Sequence, residues 1–520
     1  MSFLPTSKSG SKIFGGIETF VLLATAFAIL TIVSPHVFPK PDTDQYVYQY
    51  ISQQMLAGEI PYRDLWDHKG VLIYLLYALG LLIDVNYGVW LLGYFFLAGT
   101  ITGFYFLFTD IFKNRTVSFF SSLVILWYLG VVLDGGNSVE FFNMFSQLLV
   151  MVACWLFIKK EKPFFVVLVG ISAGLSFLLR PNEIAFAVAF ALFVTGMKLA
   201  RGEGVALKKI FLYLALGGLA VLLPTIIWLQ MNAALGDFFE IVIRYNLVYA
   251  QVQTNKLGVL ILAIERFLGL FIVALSAWIW VIWQHKNLKM GRHQKEFAYF
   301  LAVAFPITIY LSLLSGRPYS HYFISWLLIL GALLSFFLSI FVPKLTERNR
   351  KTGSFLLYLL SGILLVIAYT RVWGSWTPFI QSLITEGRFP SIARSEEPEY
   401  FCVEYIKNNT NNDDTLWVWG NALKYNVWAE RTSPTRYVYA HPLAVSNYIR
   451  EEDVLEIISA LEAAQPLILD IGKTDPVMFP IASNNYDANL VVLPLIQYIR
   501  DNYVPVEGVD SNEWTIWTPK

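Results

Sequence analysis

The sequence predicts a polytopic α-helical membrane protein with a C-terminal extracytoplasmic α/β domain, and three observations carry that prediction. The 520 residues are 56% hydrophobic and 15% charged. Their apolar residues gather in blocks of about 17 to 25, the length that crosses a hydrocarbon core at the helical rise per residue. Beyond residue 373 such blocks stop, and Asp, Glu and Asn become frequent. The formal net charge of zero says nothing about nucleic acid, because a membrane protein partitions its charge by side; no nucleic-acid partner is expected. Cys154, in an apolar block, and Cys402, in the tail, are the two cysteines. They fall in different layers, so neither a disulfide nor redox chemistry is expected.

The first block, Ile17 to Val37, is longer than a signal-peptide core and has no small-x-small cleavage site behind it, so it reads as a retained signal anchor. The expected spans are 17–38, 88–111, 117–133, 141–158, 163–179, 183–199, 210–230, 258–284, 297–314, 322–342 and 354–372. Basic residues cluster in alternate connections: Lys8 and Lys12, Lys113 and Arg115, Lys159 to Lys162, Lys208 and Lys209, Lys286 to Lys295, and Lys344 to Lys351. The positive-inside rule makes these cytoplasmic. The amino terminus is then inside a plasma (inner) membrane, and about eleven spans send the tail outside. The run GVLIYLLYALGLLI at 70–83 is too short to span and would invert every later loop, so it reads as a re-entrant or interfacial helix. The expected division is thus 1–372 in the membrane, with its first external loop at 39–87, and 373–520 as a soluble external domain.

Within the tail, TLWVWG (415–420), TRYVYA (435–440), PLILD (466–470) and EWTIWT (513–518) read as short strands. The segments 396–409, 446–464 and 489–503 carry helical spacing, the last interrupted by Pro494. Strands alternating with helices suggest a small α/β domain.

The segment PDTDQYVYQYISQQMLAGEIPYRDLWDHKG, residues 41–70, holds the densest polar chemistry. Gln45 to Ala57 reads as a helix, capped by Asp42 or Asp44, with Gly58 at its C-cap and Pro61 behind. Val47, Ile51 and Met55 form one apolar stripe, as in a helix lying in the headgroup plane. Asp44 is either that cap or a carboxylate held at the mouth of a helical bundle, where desolvation suits it to act as a base. Asp42 and Asp44 share a face if the chain is extended and diverge if Asp44 opens the helix. No essential metal is expected of so short an acidic pattern.

Asp44, Tyr48 and then GEIPYRDLWDHKG (58–70) resemble the first external loop of the GT-C superfamily of membrane glycosyltransferases, the protein-mannosyltransferase and lipid A aminoarabinose-transferase-like group. That group has an acidic residue after the first span, an interfacial helix, a Gly-x-x-x-Tyr-x-Asp stretch and a Lys-Pro-Pro or Lys-Gly-Pro turn. By this resemblance Asp44 takes the place of the catalytic acid, and Tyr62, Asp64, Asp67 and Lys69 fall on its neighbours. Val71 stands where the group has proline. The likeness extends to RPNE at 180–183 and GRPYSHYF at 316–323, both in loops the charge pattern makes external. It implies a polyprenyl phosphate sugar as donor and an acceptor hydroxyl on a lipid, glycan or protein outside the cytoplasm.

That chemistry needs one base. A phosphate leaves as a weak base, without the second carboxyl that glycoside hydrolysis demands, so Asp44 alone suffices to take the acceptor's proton. The departing phosphate needs positive charge, for which Arg180, Arg317 and Lys69 are the candidates. The structural alternatives are interfacial snorkelling for the two arginines and pairing with Asp67 or Asp64 for Lys69. Asp42, His68 and Tyr322 join the expected substrate contacts. His321 is either a phosphate or sugar contact or a hydrogen-bonded interface residue, Glu140 holds the acceptor or caps a helix, and Glu183 pairs with Arg180. The segment FEIVIRYNLVYAQVQ at 239–253 walls a cavity or lies at the interface. One phosphate can be met by Arg and Lys, so no cofactor is expected, a divalent cation included. The competing reading is a lipid or glycan transporter or flippase, which would carry its ionisable residues within the spans.

Overall fold

The computed structural model describes residues 8–37, 43–252, 255–284, 290–345, 350–392, 399–445, 447–475, 478–483, 490–509 and 511–520. Two compact units emerge: Met1–Phe38, Ile83–Thr225 and Gln253–Pro390 form one, and Pro39–Leu82, Ile226–Val252 and Ser391–Lys520 form the other.

Nine helices among the described residues are long and apolar enough to cross a membrane, from Gly15–Val33 through Thr352–Thr385, and the chain is a multi-pass membrane protein. All but the end of Ala206–Met231 belongs to the first unit. The expected block at 163–179 is a 17-residue apolar helix, Pro163–Leu179. The expected block at 258–284 is instead two helices, Lys256–Arg266 and Leu268–Trp283. The break is at Phe267, with φ −115° and ψ 16°, whose fully buried ring packs on Tyr128 and Trp326. Tertiary packing of one aromatic side chain there outweighs a continuous apolar pattern. The last long helix runs Arg350–Thr385 without interruption past residue 372.

Two devices hold the first unit together. Helices Pro163–Leu179 and Ala206–Met231 cross at glycines: a Cβ on Gly170 would stand 2.2 Å from the Leu214 carbonyl oxygen, and one on Gly217 would stand 2.2 Å from that of Val167. Between apolar helices in lipid, such backbone approach supplies the dispersion contact that the hydrophobic effect does not. The second device is ionic. Glu18, in the first helix and 4% exposed, accepts hydrogen bonds from Arg115 Nη2 at 2.6 Å, from the Tyr105 hydroxyl, and from the Tyr358 hydroxyl at 2.6 Å. A buried carboxylate persists when it is paired and hydrogen-bonded in this way.

In the second unit, strands β1 (Leu416–Trp419), β2 (Leu467–Asp470), β3 (Tyr503–Pro505) and β4 (Thr515–Pro519) form a sheet of order β1-β2-β4-β3. β1 and β2 are parallel, with Leu416 opposite Leu467, and β4 runs antiparallel to both β2 and β3. The tail's helices are Tyr400–Asn409, Lys424–Ala429, Glu451–Ala464 and Leu493–Asn502. Pro494 opens the last of these rather than interrupting it, since proline suits a first turn whose N–H has no partner. The expected strand at 435–440 is not one. Its buried tyrosines are drawn to side chains instead, and its backbone makes scattered contacts rather than a ladder: Trp66 N–H donates to the Arg436 carbonyl at 2.8 Å and Ala440 N–H to the Gly420 carbonyl at 2.9 Å.

The helix expected at 45–57 is Thr43–Ala57, closed by Gly58 at φ +110°. It is buried around more than the one stripe: Gln45, Tyr46, Tyr48, Tyr50 and Ser52 lie inside along with Val47 and Ile51. Trp428 Nε1 donates to the Tyr46 hydroxyl at 2.8 Å, and Ser433 N–H to the Tyr50 hydroxyl at 2.7 Å. The alternate face thus packs on the tail.

Candidate functional site

The chain turns at Pro61–Leu65 immediately behind that helix. Tyr62 sits at φ +72°, a conformation that costs a bulky side chain about 1 kcal/mol or more. Burial and two hydrogen bonds offset it: Tyr62 N–H to the Leu65 carbonyl at 2.8 Å, and the Tyr62 hydroxyl to the Lys69 carbonyl at 2.9 Å. The effect is to aim residues 66–69 inward. Asp64 stays at the surface of this turn, forked by Arg63 Nε and Nη2 at 2.7 Å each and accepting Ile60 N–H at 2.8 Å.

Inside the turn, charged groups follow one another at contact distance. Lys69, 3% exposed, brings its Nζ to 3.5 Å from Asp44 Oδ2 and 3.1 Å from His68 Nε2. The Tyr48 hydroxyl donates to the same Asp44 oxygen at 3.2 Å. His68 Nδ1 is 3.4 Å from Asp67 Oδ1. Asp67 accepts the Tyr439 hydroxyl on Oδ1 and the Tyr74 hydroxyl on Oδ2, both at 2.6 Å. Burial pushes the Asp67 carboxyl above the usual range, opposed by the Lys69 charge and these two hydroxyls. Aromatic rings wall the group: Tyr245 is 5.1 Å from the His68 ring and 4.8 Å from that of Trp66. Asn246 Nδ2 holds the His68 carbonyl at 2.9 Å, and the Tyr245 hydroxyl lies 3.4 Å from His441 Nδ1.

A second cluster belongs to the membrane unit. Arg180, at the end of helix Pro163–Leu179, ion-pairs through Nη1 with Glu140 and lies 4.0 Å from the centre of the Tyr322 ring. Ser138 is the N-cap of helix Val139–Lys160, which leaves Glu140 to Arg180. The Glu183 carboxylate takes its hydrogen bonds away from Arg180: Asn143 Nδ2 donates to it at 2.8 Å and the Ser325 hydroxyl at 2.9 Å, while the Ser176 hydroxyl holds Asn143 at 2.6 Å. His321 Nδ1 is 3.4 Å from Asp134 Oδ2, and its ring stacks with Tyr319. Asp134 opens the run Asp134–Asn137, in which every residue has positive φ. Arg317, half-buried, follows Gly316, which turns at φ +63°.

The expected residues therefore separate by surroundings. Asp44, Tyr62, Asp67, His68 and Lys69 converge in the second unit, whereas Asp64 belongs to the outer turn. Arg180, Glu140 and Tyr322 converge in the first, with His321 stacked edge-on against Tyr322. Asp42 lies outside the described residues. Sequence reasoning missed Tyr74, Tyr439, Tyr245 and His441, whose only signal was a density of aromatics in segments read as strand or interface. Among the described residues, no three His, Cys, Asp or Glu side chains gather as metal ligands would.

No protein-family model matches the chain, and no curated protein matches it. Among solved structures it is similar to ArnT from Cupriavidus metallidurans bound to undecaprenyl phosphate, with a TM-score of 0.60 at 11% identity, over 96% of this chain and 97% of that one. The apo state of the same protein gives 0.58 at 12% identity over the same shares. The likeness is one of fold, and it takes in the tail as well as the spans. The GT-C-like architecture that the first loop's resemblance implied is the architecture the chain has.

Proposed function

We propose that this protein is an integral membrane glycosyltransferase of GT-C type. It moves a sugar from a polyprenyl phosphate to an acceptor hydroxyl on a lipid, glycan or protein at the extracytoplasmic face of the plasma (inner) membrane. The amino terminus is cytoplasmic and residues 373–520 are extracytoplasmic. Asp44 is the general base. Lys69, Arg180 and Arg317 meet the donor's phosphate, and Tyr62, Asp67, His68, Glu140, His321 and Tyr322 shape the substrate site, with Asp64 at its margin and Asp42 a further substrate contact. No metal takes part.

The observation that carries this reading is the Asp44–Lys69 pair, 3.5 Å apart, in a fold whose solved neighbour was captured with undecaprenyl phosphate. A carboxylate beside an ammonium group suits the reaction in both halves. The carboxylate takes a proton from the attacking hydroxyl, and the ammonium meets charge building on the leaving phosphate.

Transfer from radiolabelled polyprenyl phosphate sugars in membranes, with wild type beside Asp44→Asn, tests the proposal. Loss of at least 100-fold in the variant is expected from removing a positioned general base. Unchanged transfer removes Asp44 from the role, and proteoliposome flux without any transfer favours a transporter.

A further inference from the structure

We infer that Tyr439, from the C-terminal tail, is a positioning residue for the first loop: it holds the Asp67 carboxylate, which fixes the His68 ring, which seats the Lys69 ammonium beside Asp44. The inference rests on the reading of Asp44 and Lys69 given above, and its test is read separately from theirs.

The hydrogen-bonding chemistry leaves one arrangement. An ammonium group has only donors, so the 3.1 Å contact from Lys69 Nζ requires a lone pair on His68 Nε2. The imidazole is then neutral with its proton on Nδ1, which faces Asp67 Oδ1 at 3.4 Å as an electrostatic contact rather than an aligned hydrogen bond. Asp67, 2% exposed, needs donors for both oxygens, because an unmet buried carboxylate is expensive. Tyr74 and Tyr439 supply them at 2.6 Å. Tyr74 lies five residues beyond Lys69, but Tyr439 is 372 residues from Asp67 in sequence, so the tail closes the arrangement.

The other groups facing His68 and Asp67 are Tyr245, Tyr249 and Tyr62, with His441 against Tyr245. None supplies a second hydroxyl to Asp67 Oδ1. Without the Tyr439 hydroxyl that oxygen draws more strongly on His68. The ring then gains a proton and becomes a double donor, and Lys69 loses its acceptor. A phenylalanine at 439 keeps the ring contact with Trp66, 5.7 Å between centroids, so a hydroxyl effect is separable from a packing effect.

The test uses the full-length chain in nanodiscs with nitrogen-15-labelled histidine, the His68 resonances being identified by their absence in His68→Gln. The wild type is expected to show a neutral His68 protonated at Nδ1. Tyr439→Phe is expected to raise the pH at which His68 titrates by one unit or more. Transfer should fall about tenfold in that variant through kcat, with cooperative thermal unfolding retained at a somewhat lower midpoint, as the loss of one buried hydrogen bond requires. A wild-type ring protonated at Nε2, or a Tyr439→Phe titration indistinguishable from wild type, overturns the inference. A shifted titration in a protein with no transfer activity upholds the positioning network and defeats the glycosyltransferase reading, so the two failures are told apart.

Discussion

Asp64 and Asp67 are three residues apart and have opposite surroundings. Asp64 is forked by its neighbour Arg63 on the outside of a turn, and Asp67 is buried under two tyrosine hydroxyls. Asp64→Asn is therefore expected to leave transfer within about twofold of wild type, a surface pair being worth about 1 kcal/mol or less. Asp67→Asn should lower it tenfold or more in the same membrane assay. The resemblance in the first loop singled out Asp44, Tyr62, Asp67 and Lys69, which the fold brings together. It did not separate Asp64 from them, because what separates them is a partner in the tail that no local spacing encodes. Asp470 gives a second residue-scale prediction. At the end of β2 it accepts Gly472 N–H at 2.9 Å and Ile481 N–H at 2.8 Å, yet burial raises its carboxyl to about 6. The folded state then holds a proton that the unfolded chain, titrating near 3.8, has released. This contribution is fully present below about pH 4 and is lost as pH rises through about 6, an upper bound of about 3 kcal/mol. Thermal unfolding in detergent between pH 4.5 and 7.5 should show a fall in stability that Asp470→Asn flattens.

At the scale of elements, the sequence registered the spans because an apolar run of about 20 residues has few other fates. It failed where a single side chain decides. Phe267 breaks one expected span, and the aromatic run at 435–440 gives its hydroxyls to the first loop and to Asp453 instead of entering the sheet. The strand Tyr503–Pro505 is too short for alternation to reveal it. Glycines in the spans are equally ambiguous in sequence. Gly170 and Gly217 meet backbone within 2.2 Å of a virtual Cβ, whereas Gly196, in helix Ala185–Ala200, meets nothing within 4 Å. Gly170→Leu should therefore force the two helices apart and cost about 1–3 kcal/mol or more. Gly196→Leu should leave unfolding in detergent unchanged or slightly improved by the better helix former. Equal effects from the two substitutions would mean that the close crossing contributes nothing.

On the scale of the whole molecule, the proposed chemistry requires that the first loop and the tail face the same side, and the structure joins them in one compact unit: Pro39–Leu82 and Ser391–Lys520 fold together. Trp66 to Tyr448, Tyr46 to Trp428 and Asp67 to Tyr439 are hydrogen bonds between these segments, and a membrane cannot pass between partners 2.6 to 3.1 Å apart. An odd number of crossings before the first loop therefore demands an even number between that loop and the tail. The basic clusters then predict which side is which, since the positive-inside rule puts the connection that holds Lys208 and Lys209 in the cytoplasm. Both native cysteines are buried, so a single introduced thiol reports alone. A membrane-impermeant maleimide applied to intact cells should label Asn412→Cys, which is exposed in the tail. It should reach Val205→Cys, 88% exposed, only after the membrane is opened. Labelling of position 205 from outside would place the base, Lys69 and the tail in the cytosol together. The donor's phosphate and the acceptor would then have to be found on that side.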